Sequence, residues 1–225
     1  MKWHFVLLLG LLISLGSCQK DDDAAQSFSY LALGDSYTIG QSVPEEERWP
    51  VQLASALNEQ GIVVRRPRII ARTGWQVSQL KAGIEASTDL GKYNLVSLLI
   101  GVNNQFWGQP VEEFAPEFEE MLQIAIELAN GDPEQVFVLS IPDYGKTPFG
   151  SSREEEIERE INEYNAVCQA TSARYGVSYF NITPISREAE SNADLIASDN
   201  LHPSGLMYKR WVDLIQTDIA AKLSN

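Results

Sequence analysis

The run Leu95-Val96-Ser97-Leu98-Leu99-Ile100 is almost wholly apolar. A strand with one wet face alternates apolar and polar residues, so a run without alternation belongs to a strand covered on both faces. Residues 136–141 have the same character, and residues 29–33, 68–71 and 177–182 read as further strands. Residues 62–64 form another short extended piece ahead of Pro67. Between the strands lie longer stretches with helical spacing, at residues 48–60, 77–86, 111–129, 153–175 and 205–223. In 48–60 the apolar stripe is Val51, Leu53, Ala54, Ala56 and Leu57, and in 153–175 it includes Ile157, Ile161, Tyr164 and Val167. Strands that alternate with helices predict an α/β chain, with a five-stranded parallel sheet in a three-layer α/β/α sandwich. Ligands in such sheets bind beyond the carboxyl ends of the strands. Chemistry is therefore expected just after Leu33, Ala71, Ile100 and Ile182, and the loop 142–148 after the fourth strand should face the same place.

The first residues read as a targeting segment. Lys2 precedes an apolar run, 5–15, too short to span a bilayer and typical of a signal-peptide core. It ends in Leu15-Gly16-Ser17-Cys18, which resembles a bacterial lipobox, where cleavage before the cysteine is followed by its lipidation. An ordinary secretory signal with an incidental cysteine is the alternative. The lipobox reading predicts a signal peptide at 1–17, lipidation of Cys18, a tether at 18–28 and a single domain at 29–225. It makes the chain an exported lipoprotein held at the outer membrane through Cys18. The triplet Asp21-Asp22-Asp23 resembles the surface-export signal of some Gram-negative lipoproteins, or is simply a solvated linker. It lacks the glycine turn and distal glutamate of a calcium loop.

Removal of the signal leaves about 200 residues, enough for one domain with a full core. The net charge of the whole chain is −14, which argues against a nucleic-acid partner. Of the two cysteines and two histidines, Cys18 would carry lipid and His4 would leave with the signal. Cys168 then has no disulfide partner, and one His with one Cys makes a poor zinc site. No metal and no cofactor is expected.

A serine hydroxyl is a poor nucleophile at neutral pH and needs an adjacent base. Only His202, in Asp199-Asn200-Leu201-His202, remains to serve as one, and Asp199 is placed to hold its tautomer. Gly34-Asp35-Ser36 follows the first strand, where Ser36 is either a nucleophile or a capping serine, and Gly34 allows a tight turn. Arg72-Thr73-Gly74-Trp75 follows the second, where the Gly74 N–H can approach a ligand, or the glycine simply makes a turn. Gly101-Val102-Asn103-Asn104 follows the third. The Asn103 amide can donate to a developing oxyanion, worth about 3–4 kcal/mol in other hydrolases, although asparagine is also common in turns. The joint placement of these residue types at strand ends outweighs the bland reading of each. Nearby, Trp75, Phe106, Trp107, Tyr144 and Phe149 can line an acyl pocket, stack on a sugar ring, or pack in the core. Asp35 and Asn104 are further candidates for substrate contact.

Gly34-Asp35-Ser36-Tyr37, Gly74, Gly101-Val102-Asn103 and Asp199-Asn200-Leu201-His202 resemble, in order and spacing, the four sequence blocks of the SGNH hydrolases, also called GDSL esterases and lipases. The resemblance runs from about Tyr30 to Leu223. It implies a flavodoxin-like sandwich with strand order 2-1-3-4-5. It implies Ser36 as nucleophile, His202 as base and Asp199 as its partner, with an oxyanion hole from the Ser36 N–H, the Gly74 N–H and the Asn103 side chain. Two positions depart from the family pattern: Tyr37 stands where leucine gives the family its name, and Asn104 stands where aspartate is usual.

These residues predict a serine esterase acting through an acyl-enzyme. With no long apolar lid segment in the sequence, the expected substrates are small esters with short acyl groups, including acetyl groups on glycans. The rival from another class is a non-catalytic lipoprotein that binds glycan in the same cleft, although such a cleft has no need of a Ser–His–Asp set. A flavodoxin-like phosphate binder fits poorly, because the first turn lacks a glycine-rich loop.

Overall fold

The computed structural model describes Met1 and residues 27–224. The rest of the expected signal peptide, Cys18 and nearly all of the tether lie outside the described residues.

Five parallel strands form one sheet in the order β2-β1-β3-β4-β5. They are β1 (Tyr30–Gly34), β2 (Arg68–Ala71), β3 (Leu95–Leu99), β4 (Val136–Leu139) and β5 (Ser178–Phe180). Every residue of β1, β3 and β4 is buried, which is what their unbroken apolar runs require. The edge strands β2 and β5 are partly exposed.

Eight α-helices surround the sheet among the described residues: α1 (Ser36–Ile39), α2 (Trp49–Glu59), α3 (Val77–Glu85), α4 (Val102–Phe106), α5 (Val111–Leu128), α6 (Glu154–Arg174), α7 (Thr183–Arg187) and α8 (Gly205–Ser224). Helix α2 packs on α8, while α5 packs on α3 and α6, which gives two helical groups with the sheet between. In the first group, the buried Trp49 meets Phe137 of β4 edge-on at 6.2 Å. In the second, Phe114 of α5 stacks on Tyr164 of α6 at 4.3 Å. These contacts belong to one continuous apolar core, whose burial drives the packing of helices on the sheet.

The structure differs from the sequence reading in three local ways. The short helices α1, α4 and α7 follow strand ends and were not among the helices read from the sequence. Strand β5 is shorter than residues 177–182, because the backbone N–H groups of Ile182 and Thr183 turn to the Ser140 hydroxyl at 2.8 and 3.0 Å. Phe28, placed in the tether by sequence, instead bridges Val64: its N–H donates to the Val63 carbonyl at 2.8 Å, and its carbonyl accepts from Arg65 at 2.9 Å. Its ring packs against the core.

Candidate active site

Ser36 is the first residue of α1, directly beyond β1, and is 4% exposed. Gly34 ends β1 just before it. A Cβ on Gly34 would stand 2.2 Å from the Thr38 hydroxyl oxygen and 2.4 Å from the Leu99 carbonyl oxygen. The glycine is thus required by close packing of α1 and β3, not by an unusual turn torsion. Asp35 caps α1 through Oδ1, which accepts the Tyr37 N–H at 3.0 Å. Its other oxygen has no hydrogen-bond partner, and burial pushes the carboxyl up to about 7. Asp35 is buried beneath the turn and does not line the cavity, so the expected substrate contact is a helix cap instead.

Asp199 and His202 share a tight loop closed by the Ala197 N–H to His202 carbonyl bond of 2.7 Å. Asp199 Oδ1 accepts the backbone N–H groups of Leu201 at 3.0 Å and His202 at 2.9 Å. Its Oδ2 lies 2.7 Å from His202 Nδ1 and accepts the Ser42 hydroxyl at 2.6 Å. Partial burial acts to raise the Asp199 carboxyl, but the bonds from Ser42, His202 and Leu201 outweigh it and hold the group well below the usual carboxylate range. With Nδ1 engaged by the carboxylate, Nε2 is the free ring nitrogen. The ring rests against Tyr37, centroids 5.5 Å apart. His202 and Ser36 line the same cavity without a hydrogen bond between them. Such bonds commonly tighten only when substrate is bound.

Gly74 and Asn103 line that cavity too. Gly74 has φ +84°, and a Cβ there would meet nothing within 4 Å. Its glycine serves the backbone conformation, which an L side chain would strain. Asn103 Nδ2 donates to the Trp75 carbonyl at 3.0 Å, which anchors the amide and leaves its second N–H without a protein acceptor.

Asn104 points the opposite way. It is 1% exposed, accepts the Val77 N–H at 3.1 Å, and donates to Gln109 Oε1 at 2.6 Å and Glu117 Oε2 at 3.3 Å. It is a buried brace and not a substrate contact. Trp75 also turns away: its ring covers Gly83 of α3, where a Cβ would fall 2.3 Å from a ring carbon.

The cavity holds about 220 Å³ and has an aromatic wall of Phe106, Trp107, Tyr144 and Phe149. Trp107 is 71% exposed and Phe149 51%, so much of the wall faces solvent. Phe106 meets Trp107 edge-on at 5.3 Å. The loop that carries Tyr144 is held by Asp143, which accepts the Gly145 N–H and the Arg187 guanidinium, both at 2.9 Å. Lys146 pairs with Glu154 on α6. The Phe149 N–H donates to the Asn200 carbonyl at 3.2 Å and so joins the aromatic wall to the Asp199–His202 loop.

No such chemistry gathers after Ile182. Ser140, Asn165 and Thr183 form a buried network there, with Asn165 Nδ2 donating to Thr183 Oγ1 at 3.0 Å, and none of the three lines the cavity. Sequence reasoning did not single out Tyr37, Thr73, Val102 and Leu201 as cavity residues, or Ser42 as an Asp199 partner. Tyr37 and Val102 could have been found from their places beside Ser36 and Asn103. Among the described residues, no cluster of His, Cys, Asp or Glu is arranged to hold a metal ion.

One cavity thus brings together a buried hydroxyl, an imidazole oriented by a carboxylate, a free amide N–H and an apolar wall. The chain matches the GDSL-like lipase/acylhydrolase family over residues 32–210. A comparison with curated protein sequences finds no match. Solved structures share the fold. The psychrotrophic esterase EstA from Pseudoalteromonas sp. is 17% identical, with a TM-score of 0.63 over 88% of this chain and 99% of its own. The lipase/acylhydrolase from Enterococcus faecalis is 19% identical, at 0.66 over 87% and 96%. Axe2, an acetylxylan esterase from Geobacillus stearothermophilus, is 18% identical, at 0.66 over 85% and 94%. The chain belongs to the GDSL-like lipase/acylhydrolase family and is a carboxylic ester hydrolase.

Proposed function

We propose that the chain hydrolyses short-acyl esters through an acyl-enzyme on Ser36. His202 Nε2 removes the Ser36 proton as Oγ attacks the ester carbonyl. Asp199 keeps the proton of the neutral imidazole on Nδ1 and stabilises the imidazolium that forms. The N–H groups of Ser36 and Gly74, with the Asn103 amide, receive the developing oxyanion. His202 then returns the proton to the leaving alcohol, and water repeats the cycle to release the acid.

The observation that carries this reading is the 2.7 Å contact of His202 Nδ1 with Asp199 Oδ2, at the edge of a cavity that Ser36, Gly74 and Asn103 also line. The substrate proposal rests on the cavity itself. Its volume of about 220 Å³ suits a small acyl group, and no carboxylate, lysine or arginine lines it, which favours an uncharged ester. The exposed faces of Trp107 and Phe149 suit a flat or sugar-like alcohol portion. Axe2, similar in fold, acts on acetylated xylan by its description, which is in keeping with acetyl esters of glycans. Hydrolysis of p-nitrophenyl acetate, butyrate and decanoate tests the proposal: rates should favour the shorter acyl groups, and a maximum at decanoate would overturn the short-acyl reading.

We further propose that the chain is exported and anchored in the outer membrane by lipid on Cys18. Fatty acid incorporation in cells, lost in Cys18→Ala, tests this.

A further inference from the structure

We infer that Ser42 is a positioning residue for Asp199 and His202, kept as serine against the preference of its own backbone. The inference rests on the proposed Ser36–His202–Asp199 chemistry.

Ser42 has φ +66°. In this left-handed region glycine is unstrained, asparagine and aspartate are tolerated, and serine has no backbone advantage. What serine supplies is its hydroxyl, which donates to Asp199 Oδ2 at 2.6 Å, across 157 residues of sequence. The same oxygen faces His202 Nδ1 at 2.7 Å. The other carboxylate oxygen is fixed by the N–H groups of Leu201 and His202. Without Ser42, Oδ2 would have the imidazole as its only protein partner, and its position would depend on the ring it is meant to orient. With it, Oδ2 is held by a second donor independent of the imidazole before the imidazole acquires charge, which is the preorganisation that proton transfer requires.

The surrounding chain supports the same role. Ser42 leaves the turn that ends α1, where the N–H groups of Gly40 and Gln41 both donate to the Ser36 carbonyl. Its neighbour Gln41 accepts the Thr73 hydroxyl at 2.6 Å, next to Gly74. Two consecutive residues therefore tie the Ser36 segment to the Gly74 loop and to the Asp199–His202 loop. Ser42 itself does not line the cavity. Its loss should lower kcat and leave KM nearly unchanged.

The test compares Ser42→Gly, Ser42→Ala and Ser42→Thr in the full chain. Each is measured for melting temperature, for kcat and KM on p-nitrophenyl acetate, and for the rate of Ser36 phosphonylation by a fluorophosphonate. Glycine suits the backbone but removes the hydroxyl; threonine keeps the hydroxyl but its branched Cβ strains the backbone. Ser42→Gly should melt above both Ser42→Ala and Ser42→Thr, yet lose about tenfold in kcat and in phosphonylation rate, the low end expected for a bond to a charged group because this bond is exposed. Ser42→Thr should melt lowest and keep most of the wild-type rate. A stabilising role alone would make activity follow melting temperature. Wild-type rates in Ser42→Gly, or an equal loss in Ser42→Thr and Ser42→Gly, would overturn the inference. Ser36→Ala and His202→Ala distinguish the two levels. If they retain activity, the underlying mechanism fails; if they are inactive while Ser42→Gly is unimpaired, only the role of Ser42 fails.

Discussion

Asn104 Oδ1 accepts the Val77 backbone N–H at 3.1 Å and, together with the Asn103 bond to the Trp75 carbonyl, ties the segment that carries Asn103 to the segment that carries Gly74. The other end of the same carboxamide donates to Gln109 and Glu117, whose own side chains are joined at 3.1 Å. An aspartate at 104 could still accept from Val77, but its second oxygen would face two acceptors, the Gln109 amide oxygen and the Glu117 carboxylate that holds the Gln109 amide in place. The family departure at this position thus has a local partner. Asn104→Asp should destabilise the protein by about 2 kcal/mol, the scale of a buried polar group left unpaired, and lower kcat by displacing Asn103. Adding Glu117→Gln should restore most of both. Thermal melts and kcat of the two single variants and the double variant check this; purely additive effects would contradict it.

Asp35 makes stability depend on pH. Burial pushes its carboxyl from 3.8 up to about 7. Between those values the unfolded chain has released this proton while the folded chain keeps it. The folded state binds more protons, so the Asp35 contribution to stability falls as pH rises through that window. The slope is at most about 1.4 kcal/mol per pH unit, and the fall levels off once both states are ionised. Asn at this position keeps an oxygen to accept the Tyr37 N–H and does not titrate. Urea unfolding from about pH 5 to about pH 8 should therefore show Asp35→Asn gaining on the wild type up to about pH 7 and levelling off above it. A gap that does not change with pH would contradict the expected shift.

The aromatic wall should affect substrate choice far more than folding. Trp107 and Phe149 are 71% and 51% exposed, so truncating either to alanine should cost less than about 1 kcal/mol of stability. Each should raise KM about three- to tenfold for esters with a bulky alcohol portion, as expected for loss of an aromatic contact, while kcat on small acetates changes little. Steady-state kinetics with a small and a bulky acetate ester check this. Unchanged KM for both esters would show that the wall does not touch substrate.

Much of this architecture is legible in the sequence because its signals are long or chemically unambiguous. The unbroken apolar runs of β1, β3 and β4 require cover on both faces, and the long helices α5, α6 and α8 repeat their apolar positions over several turns. The strand-end rule then brings Ser36, Gly74 and Asn103 to one edge of the sheet. What the sequence conceals is direction. Asn103 and Asn104 are neighbours of one type, yet one faces the cavity and the other lies buried against Val77 and Glu117. Asp35, Asn104 and Trp75 were all plausible substrate contacts by position, and all three side chains turn inward to partners that only folding supplies. One-turn helices such as α1 and α4 are too short to carry a period. The bond from Ser42 to Asp199 joins residues so far apart that no local pattern announces it.

Labelling with a fluorophosphonate tests the central claim most directly, because it reads the nucleophile without depending on which ester is supplied. The reagent should form a single adduct, located by peptide mass spectrometry on Ser36. The adduct should be absent in Ser36→Ala and form far more slowly in His202→Ala. Labelling of a different residue, or undiminished labelling in Ser36→Ala, would contradict Ser36 as the nucleophile and the mechanism built on it.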